Sequence, residues 1–135
     1  MTFTKPLLAA VVLLLSGGAA HAKPSLSDVP EIYTPLMQIA IADEIDKHCN
    51  SLKGRKLKAI QIMFGLRSKA NDLGYSDGEI KEWTKSKPAK AQARAQGEAY
   101  LKANGVDYEK PETFCALGRT EMKKKSAIGV LLKAN

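Results

Sequence analysis

Lys56-Leu-Lys-Ala-Ile-Gln-Ile-Met-Phe-Gly-Leu-Arg-Ser-Lys-Ala-Asn-Asp-Leu73 carries apolar residues on more than one side of a helix. At about 100° per residue, Leu57, Ile60, Met63, Phe64, Ala70 and Leu73 spread over a wide arc, and Gln61, Gly65, Ser68, Lys69 and Asp72 share the remaining pole. A helix of that pattern calls for cover on two sides. It is expected at the centre of the domain, with the rest of the chain supplying its neighbours.

Those neighbours read as further helices. On the C-terminal side, Gly74 follows Leu73 as the residue suited to a left-handed helix end, and Ser76-Asp77-Gly78-Glu79 fits a capping box with Tyr75 and Ile80 at the staple positions. A short helix through Ile80 and Trp83 follows. Ser86-Lys87-Pro88 starts another, whose seam of Ala89, Ala93, Gly97 and Tyr100 is small enough for close approach; Asn104-Gly105 ends it. Pro111 opens a fifth helix with Phe114, Leu117, Gly118 and Met122 on one face and Cys115 at its edge, and a last amphipathic turn or two holds Ile128, Leu131 and Leu132.

On the N-terminal side, Thr34-Pro35 reads as a cap and first helical residue. Met37, Ile41, Ile45 and Cys49 then recur every four residues and bring Cys49 into the core at the helix's last turn. Residues 23–33, with Pro24 and Pro30 and little periodicity, read as an extended arm. No strand-like alternation and no internal repeat is present. The expected fold is therefore all-α: a compact array of about five helices around a central amphipathic one, forming a single domain over residues 34–135.

Residues 1–22 have the plan of a cleaved secretory signal. Lys5 gives a basic start, residues 7–15 are an unbroken apolar run, and Ala20-His21-Ala22 is an A-x-A site, so cleavage after Ala22 would leave Lys23 first. Nine apolar residues are far short of the roughly 20 that span a bilayer, and no later run is long enough either. Removing this leader from the 135-residue chain leaves 113 residues, one core's worth, and takes one of the seven net positive charges with it. Export leads to an oxidising compartment, the periplasm, where the two cysteines, Cys49 and Cys115, are expected to pair.

No catalytic signature is present. With one histidine after the leader, no G-x-S-x-G and no phosphate-binding glycine loop, there is little to assemble into a nucleophilic site. His48, beside Cys49 and one turn after Glu44, is the one functional candidate, as a metal ligand or a base oriented by Glu44; the competing reading is a half-buried structural histidine. There is no C-x-x-C and no histidine pair for a metal, and Met37, Met63 and Met122 fall where packing explains them. Around Gly78, a calcium loop would need ligands where Leu73 and Tyr75 stand. The expectation is no cofactor and no enzyme. Lys123, Lys124 and Lys125, the densest charge run, offer contact to an acidic partner or a solvated helix end; lacking interleaved aromatics, they do not suggest nucleic acid.

Several stretches together resemble one family: Ile41-Ala-Asp-Glu-Ile45 with Cys49, Leu73-Gly-Tyr-Ser-Asp77 with Glu79-Ile80, Gly97-Glu-Ala-Tyr-Leu101 with Asn104-Gly-Val-Asp107, and Phe114-Cys-Ala-Leu-Gly118 with Ser126-Ala-Ile-Gly129. It is a domain-of-unknown-function family of small exported helical proteins of Gram-negative bacteria, some encoded among the genes for NADH:quinone oxidoreductase. The resemblance implies a helical fold, the same two cysteines and association with a respiratory membrane complex, and carries no catalytic residues. An iron–sulfur role is excluded, because the four cysteines of such a site are missing. The functional expectation is a non-enzymatic periplasmic accessory protein acting through a protein partner. The alternative is a periplasmic small-ligand or metal-binding protein using a cavity near His48.

Overall fold

The structure is a computed structural model and describes residues 22–135. The leader assigned to residues 1–22 lies outside the described residues except for Ala22.

Five helices carry the fold: α1 (Pro30–His48), α2 (Lys56–Asp72), α3 (Asp77–Lys85), α4 (Lys87–Ala103) and α5 (Pro111–Lys124). Short 3-10 turns stand at Leu26–Asp28 and Gly129–Leu131. The all-α expectation holds, with one addition. β1 (Leu52–Gly54) and β2 (Leu132–Ala134) form an antiparallel pair in the register Leu52↔Ala134, Gly54↔Leu132, so the C-terminal segment ends as a strand rather than a helical turn.

The helix at the centre is α1, not α2. Helices α2, α4 and α5, strand β1 and both 3-10 turns pack against α1, and its Ile41, Ala42 and Ile45 meet Phe114, Leu117, Leu101 and Leu132 in the main core. In α2 only Ala70 is buried; Ala59, Ile62 and Leu66 complete an inward row at spacings of three and four, while the remaining apolar side chains face outward. Two alanines in that row let α2 lie close to its neighbours as a wall of the array. Its wide apolar arc is covered on one side only.

α1 also begins five residues earlier than expected. Pro30 is its first residue, so residues 30–33 are helical, the arm ends at Val29, and Pro35 lies inside the helix. An interior proline removes one backbone hydrogen bond and costs about 3 kcal/mol. Burial of Ile32 and Tyr33 offsets that cost: Ile32 joins Leu26, Ala70 and Tyr75 in a second core, and Tyr33 meets Trp83 edge-on at 6.3 Å.

Local chemistry sets the other boundaries. Gly74 has φ of 95°, and the Tyr75 N–H donates to the Ala70 carbonyl at 3.0 Å to close α2. At α3 the capping box is complete: Ser76 Oγ accepts from the Glu79 N–H at 3.1 Å, and Glu79 Oε2 accepts from the Ser76 N–H at 2.6 Å. Arg67 clamps Asp77 through two bonds of 3.0 and 2.6 Å, and Asn71 adds a third at 3.2 Å, so the α2–α3 corner is held by side chains from both helices. Asp77, gripped by Arg67 and then by Asn71, is lowered to a pKa of about 2. The arm docks on this corner as Lys23 pairs with Glu79 at 2.8 Å and the Tyr75 hydroxyl donates to the Pro24 carbonyl at 2.6 Å. Ser86 caps α4, accepting from the Ala89 N–H at 3.1 Å.

The far end of the array is stapled. Cys49, the buried C-cap of α1, is bonded to Cys115 in the first turns of α5, with 5.2 Å between their Cα atoms. One turn further along α5, a Cβ at Gly118 would run into Leu52 and Ile45, so only glycine lets the helix sit this close to α1. Glu121 is the one buried charged residue among the described residues, and it is fully engaged. It accepts from the Tyr100 hydroxyl at 3.1 Å and from the Ser126 hydroxyl, while Ser126 Oγ takes the Gly129 N–H at 2.9 Å. This network ties α4, α5 and the C-terminal segment together.

Candidate functional site

His48 ends α1, and its imidazole lies in an aromatic cluster. Its ring stacks on Phe114 at 4.4 Å between centroids and meets Tyr108 edge-on at 5.3 Å; Tyr108 in turn meets Phe114 edge-on at 5.1 Å. Glu44, one turn back, accepts from the Tyr108 hydroxyl at 3.1 Å with Oε2, and the same oxygen lies 3.6 Å from His48 Nε2. Burial and then the Glu44 charge hold the Tyr108 phenol above its ordinary pKa. The histidine side chain is 35% exposed. One ring face packs on Phe114, so what the cluster does physically is anchor the loop through Tyr108 onto α1 and α5. Among the described residues, no group of three or more His, Cys, Asp or Glu side chains gathers where it could hold a metal ion.

A polar cavity of about 350 Å³ opens beside Glu44, between α1 and α4, lined by Ala40, Asp43, Lys47, Arg94, Glu98 and Tyr108 among others. Its charges are of both signs and partly paired. Lys47 pairs with Asp43 at 2.7 Å and Glu44 at 3.4 Å, and the bond to Asp43, more than any other contact, raises the Lys47 pKa. Lys123, Lys124 and Lys125 are exposed at the C-terminal end of α5, make no ion pair among the described residues, and complement the helix dipole there; Lys125 takes the left-handed cap conformation with φ of 51°. The residues singled out from sequence therefore fall in two places: His48 with the disulfide at one end of α5, and the three lysines at the other.

A third surface is the outer face of α2. Leu57 is 79% exposed, Phe64 64%, and Ile60 and Met63 42% each, and their spacing puts them side by side along the helix. The stripe does not stop at the crest. Ile60 and Met63 also line an apolar cavity of about 420 Å³ between α1 and α2, floored by Leu36, Ile39, Ala42, Ala59 and Leu131 and edged by Asp43, Asp46 and Lys56. Ala40 and Asp43 line both this cavity and the polar one, so the outer surface of α1 is the floor of one trench with α2 and α4 as its walls. Asp46 pairs with Lys53 at 3.5 Å, whereas Lys56 and Lys58 make no ion pair among the described residues. Sequence reading found these apolar side chains but assigned their cover to the chain itself. The excess width of the arc was the available signal that α2 carries more apolar surface than its neighbours in this chain cover.

Among the described residues, no helix is long and apolar enough to cross a membrane. In comparisons with known proteins, a family model described as "Family of unknown function (DUF5333)" matches residues 24–133. No curated protein and no solved structure matches the chain.

Proposed function

This chain belongs to the DUF5333 family of unknown function, and on that premise we propose that it is a non-enzymatic accessory protein of the periplasm that works by docking to another protein. The observation that carries the proposal is the uncovered stripe of Leu57, Ile60, Met63 and Phe64, continuous with the cavity over Leu36 and Ile39. Exposed apolar residues standing singly are ordinary on protein surfaces, but contiguous ones mark contact sites. A side chain of this size gains at most roughly 1.5–3 kcal/mol when fully taken out of water, less for the partly covered Ile60 and Met63, so the four together favour association without fixing its strength. The C-terminal end of α2 is fixed by the closure at Gly74 and Tyr75 and by the Arg67–Asp77 clamp, so the stripe is presented on an anchored helix.

Export supports the same reading: the leader plan of residues 1–22 and a disulfide between Cys49 and Cys115 both suit an oxidising compartment. The respiratory membrane complex implied by the sequence resemblance is one partner such a face would serve. The test is extraction of the protein with mild detergent from cells that make the full chain, followed by size separation and terminal sequencing. The expected result is a chain beginning at Lys23 that elutes within a larger assembly. Recovery only as a free monomer, at every detergent strength that preserves known envelope complexes, would overturn the docking role, and a cytosolic chain with its leader intact would overturn the location.

A further inference from the structure

We propose that the Cys49–Cys115 bond is a thiol–disulfide exchange site of fixed polarity: an external thiol enters at Cys115 Sγ, and Cys49 Sγ leaves with the help of the Ser51 hydroxyl. The site is separate from the outer face of α2 and does not depend on docking there.

Access sets the direction. Cys49 is fully buried in the main core with Ile45, Leu52, Phe114 and Leu117, whereas Cys115 is only half-buried. Exchange is the attack of a thiolate on one sulfur of the bond, so the sulfur that can be reached decides which cysteine is expelled. Ser51 stands beside both. Its Oγ lies 3.3 Å from Cys49 Sγ and 3.7 Å from Cys115 Sγ, and because a disulfide carries no proton, the hydroxyl is the donor. The end of the chain pins the turn that places it there. The Asn135 N–H donates to the Ser51 carbonyl at 3.0 Å, and Asn135 Nδ2 donates to the Asn50 carbonyl at 3.0 Å.

The chemistry then has two steps. A thiolate attacks Cys115 Sγ and forms a mixed disulfide there; the original S–S bond breaks and its electron pair leaves on Cys49 Sγ, which Ser51 hydrogen-bonds until a proton arrives from water. An apolar core disfavours a thiolate, so this departure is slow without the hydroxyl. Cys49, held beside the mixed disulfide, attacks Cys115 Sγ in turn, restores the bond and expels a reagent that has only one thiol. A dithiol avoids that return. Its second sulfur attacks the first, is itself oxidised to a disulfide, and releases Cys115 as a thiolate, leaving both cysteines reduced. In the opposite sense, the reduced Cys115 attacks an external disulfide, and Cys49 closes the bond and releases the reagent as a dithiol. The partner chemistry that fits the site is therefore an accessible dithiol–disulfide pair.

The test uses the intact oxidised chain. Excess glutathione is added, the reaction is quenched with acid, free thiols are alkylated, and the labelled peptides are sequenced by mass spectrometry. Glutathione should be found on Cys115 with the alkyl label on Cys49, at least about tenfold more often than the reverse. Ser51→Ala should slow opening by dithiothreitol about two- to tenfold, the worth of one hydrogen bond, with an unchanged circular dichroism spectrum, and Ser51→Thr should restore the rate. Glutathione on both cysteines equally, mainly on Cys49, or on neither would overturn the polarity. So would an opening rate that levels off with dithiothreitol concentration at the rate of global unfolding, since the bond would then be reached only in the unfolded chain. A rate indifferent to Ser51→Ala would overturn the part given to the hydroxyl.

Discussion

Reducing the disulfide should remove a large share of the stability of this fold. Cys49 and Cys115 are 66 residues apart in sequence, and the bond closes a loop that contains β1 and helices α2, α3 and α4. In the chain-entropy treatment, opening a loop of that length returns about 4.3 kcal/mol of freedom to the unfolded state. A small domain has a total stability of about 5–15 kcal/mol, so the reduced protein should be marginal. Urea unfolding, followed through the single tryptophan, Trp83, and through far-ultraviolet circular dichroism, measures the difference directly. With a denaturant dependence of about 1–2 kcal/mol per molar, the midpoint should fall by about 2–4 M on reduction. Replacement of both cysteines by alanine should act in the same direction and slightly more strongly, because the Cys49 sulfur is fully buried and its loss leaves a void. A midpoint that moves by less than about 0.5 M with both thiols shown to be free would refute the reasoning, since the two ends would then be held together without the bond.

Three further outcomes follow from the packing and the caps. Ser76→Ala removes the forward half of the capping box at α3 and should destabilise the protein by about 1 kcal/mol in chemical denaturation. Asp77 should titrate at about 2 in an NMR pH series. Because its folded pKa lies below the ordinary carboxylate value, its contribution is present above about pH 4 and is lost as pH falls towards 2, and Arg67→Met should return the titration towards the ordinary range. Gly118→Ala drives a methyl into Leu52 and Ile45 and should cost about 1–3 kcal/mol, read as a lowered melting temperature; an unchanged melting temperature would mean that α5 can move away from α1 freely.

Much of the fold was legible because it rests on local chemistry. The capping box at Ser76, the glycine closing α2, the serine cap at Ser86 and the proline opening α5 each depend on residues within a few positions of one another. Thr34-Pro35 misled for the same reason: it has the local form of a helix start, but burial of Ile32 and Tyr33 against residues from α2 and α3 carries α1 back to Pro30. The two strands were beyond reach. Each has three residues, too few for a period, and each needs a partner about 80 positions away. Glu121 was equally hidden, since a charged residue on a helix reads as exposed until Tyr100 and Ser126 are seen to enclose it.

At the candidate sites, the adjacency of His48, Cys49 and Glu44 was visible in one dimension, but the rings of Phe114 and Tyr108 that enclose the histidine come from far along the chain. The pairing of Cys49 with Cys115 needed only the cysteine count and the expectation of export. For α2, periodicity correctly identified a helix with too much apolar surface for one neighbour. What it could not contain is whether that surface is covered within the same chain.

That question is answered most directly by oxidative footprinting of α2 in two states, the isolated protein and the gently extracted assembly. The account predicts that Leu57, Ile60, Met63 and Phe64 are readily modified in the isolated protein and strongly protected in the assembly, while Lys123 to Lys125 keep the same accessibility in both. Equal modification of the four residues in the two states, or protection already complete in the isolated protein, would contradict it.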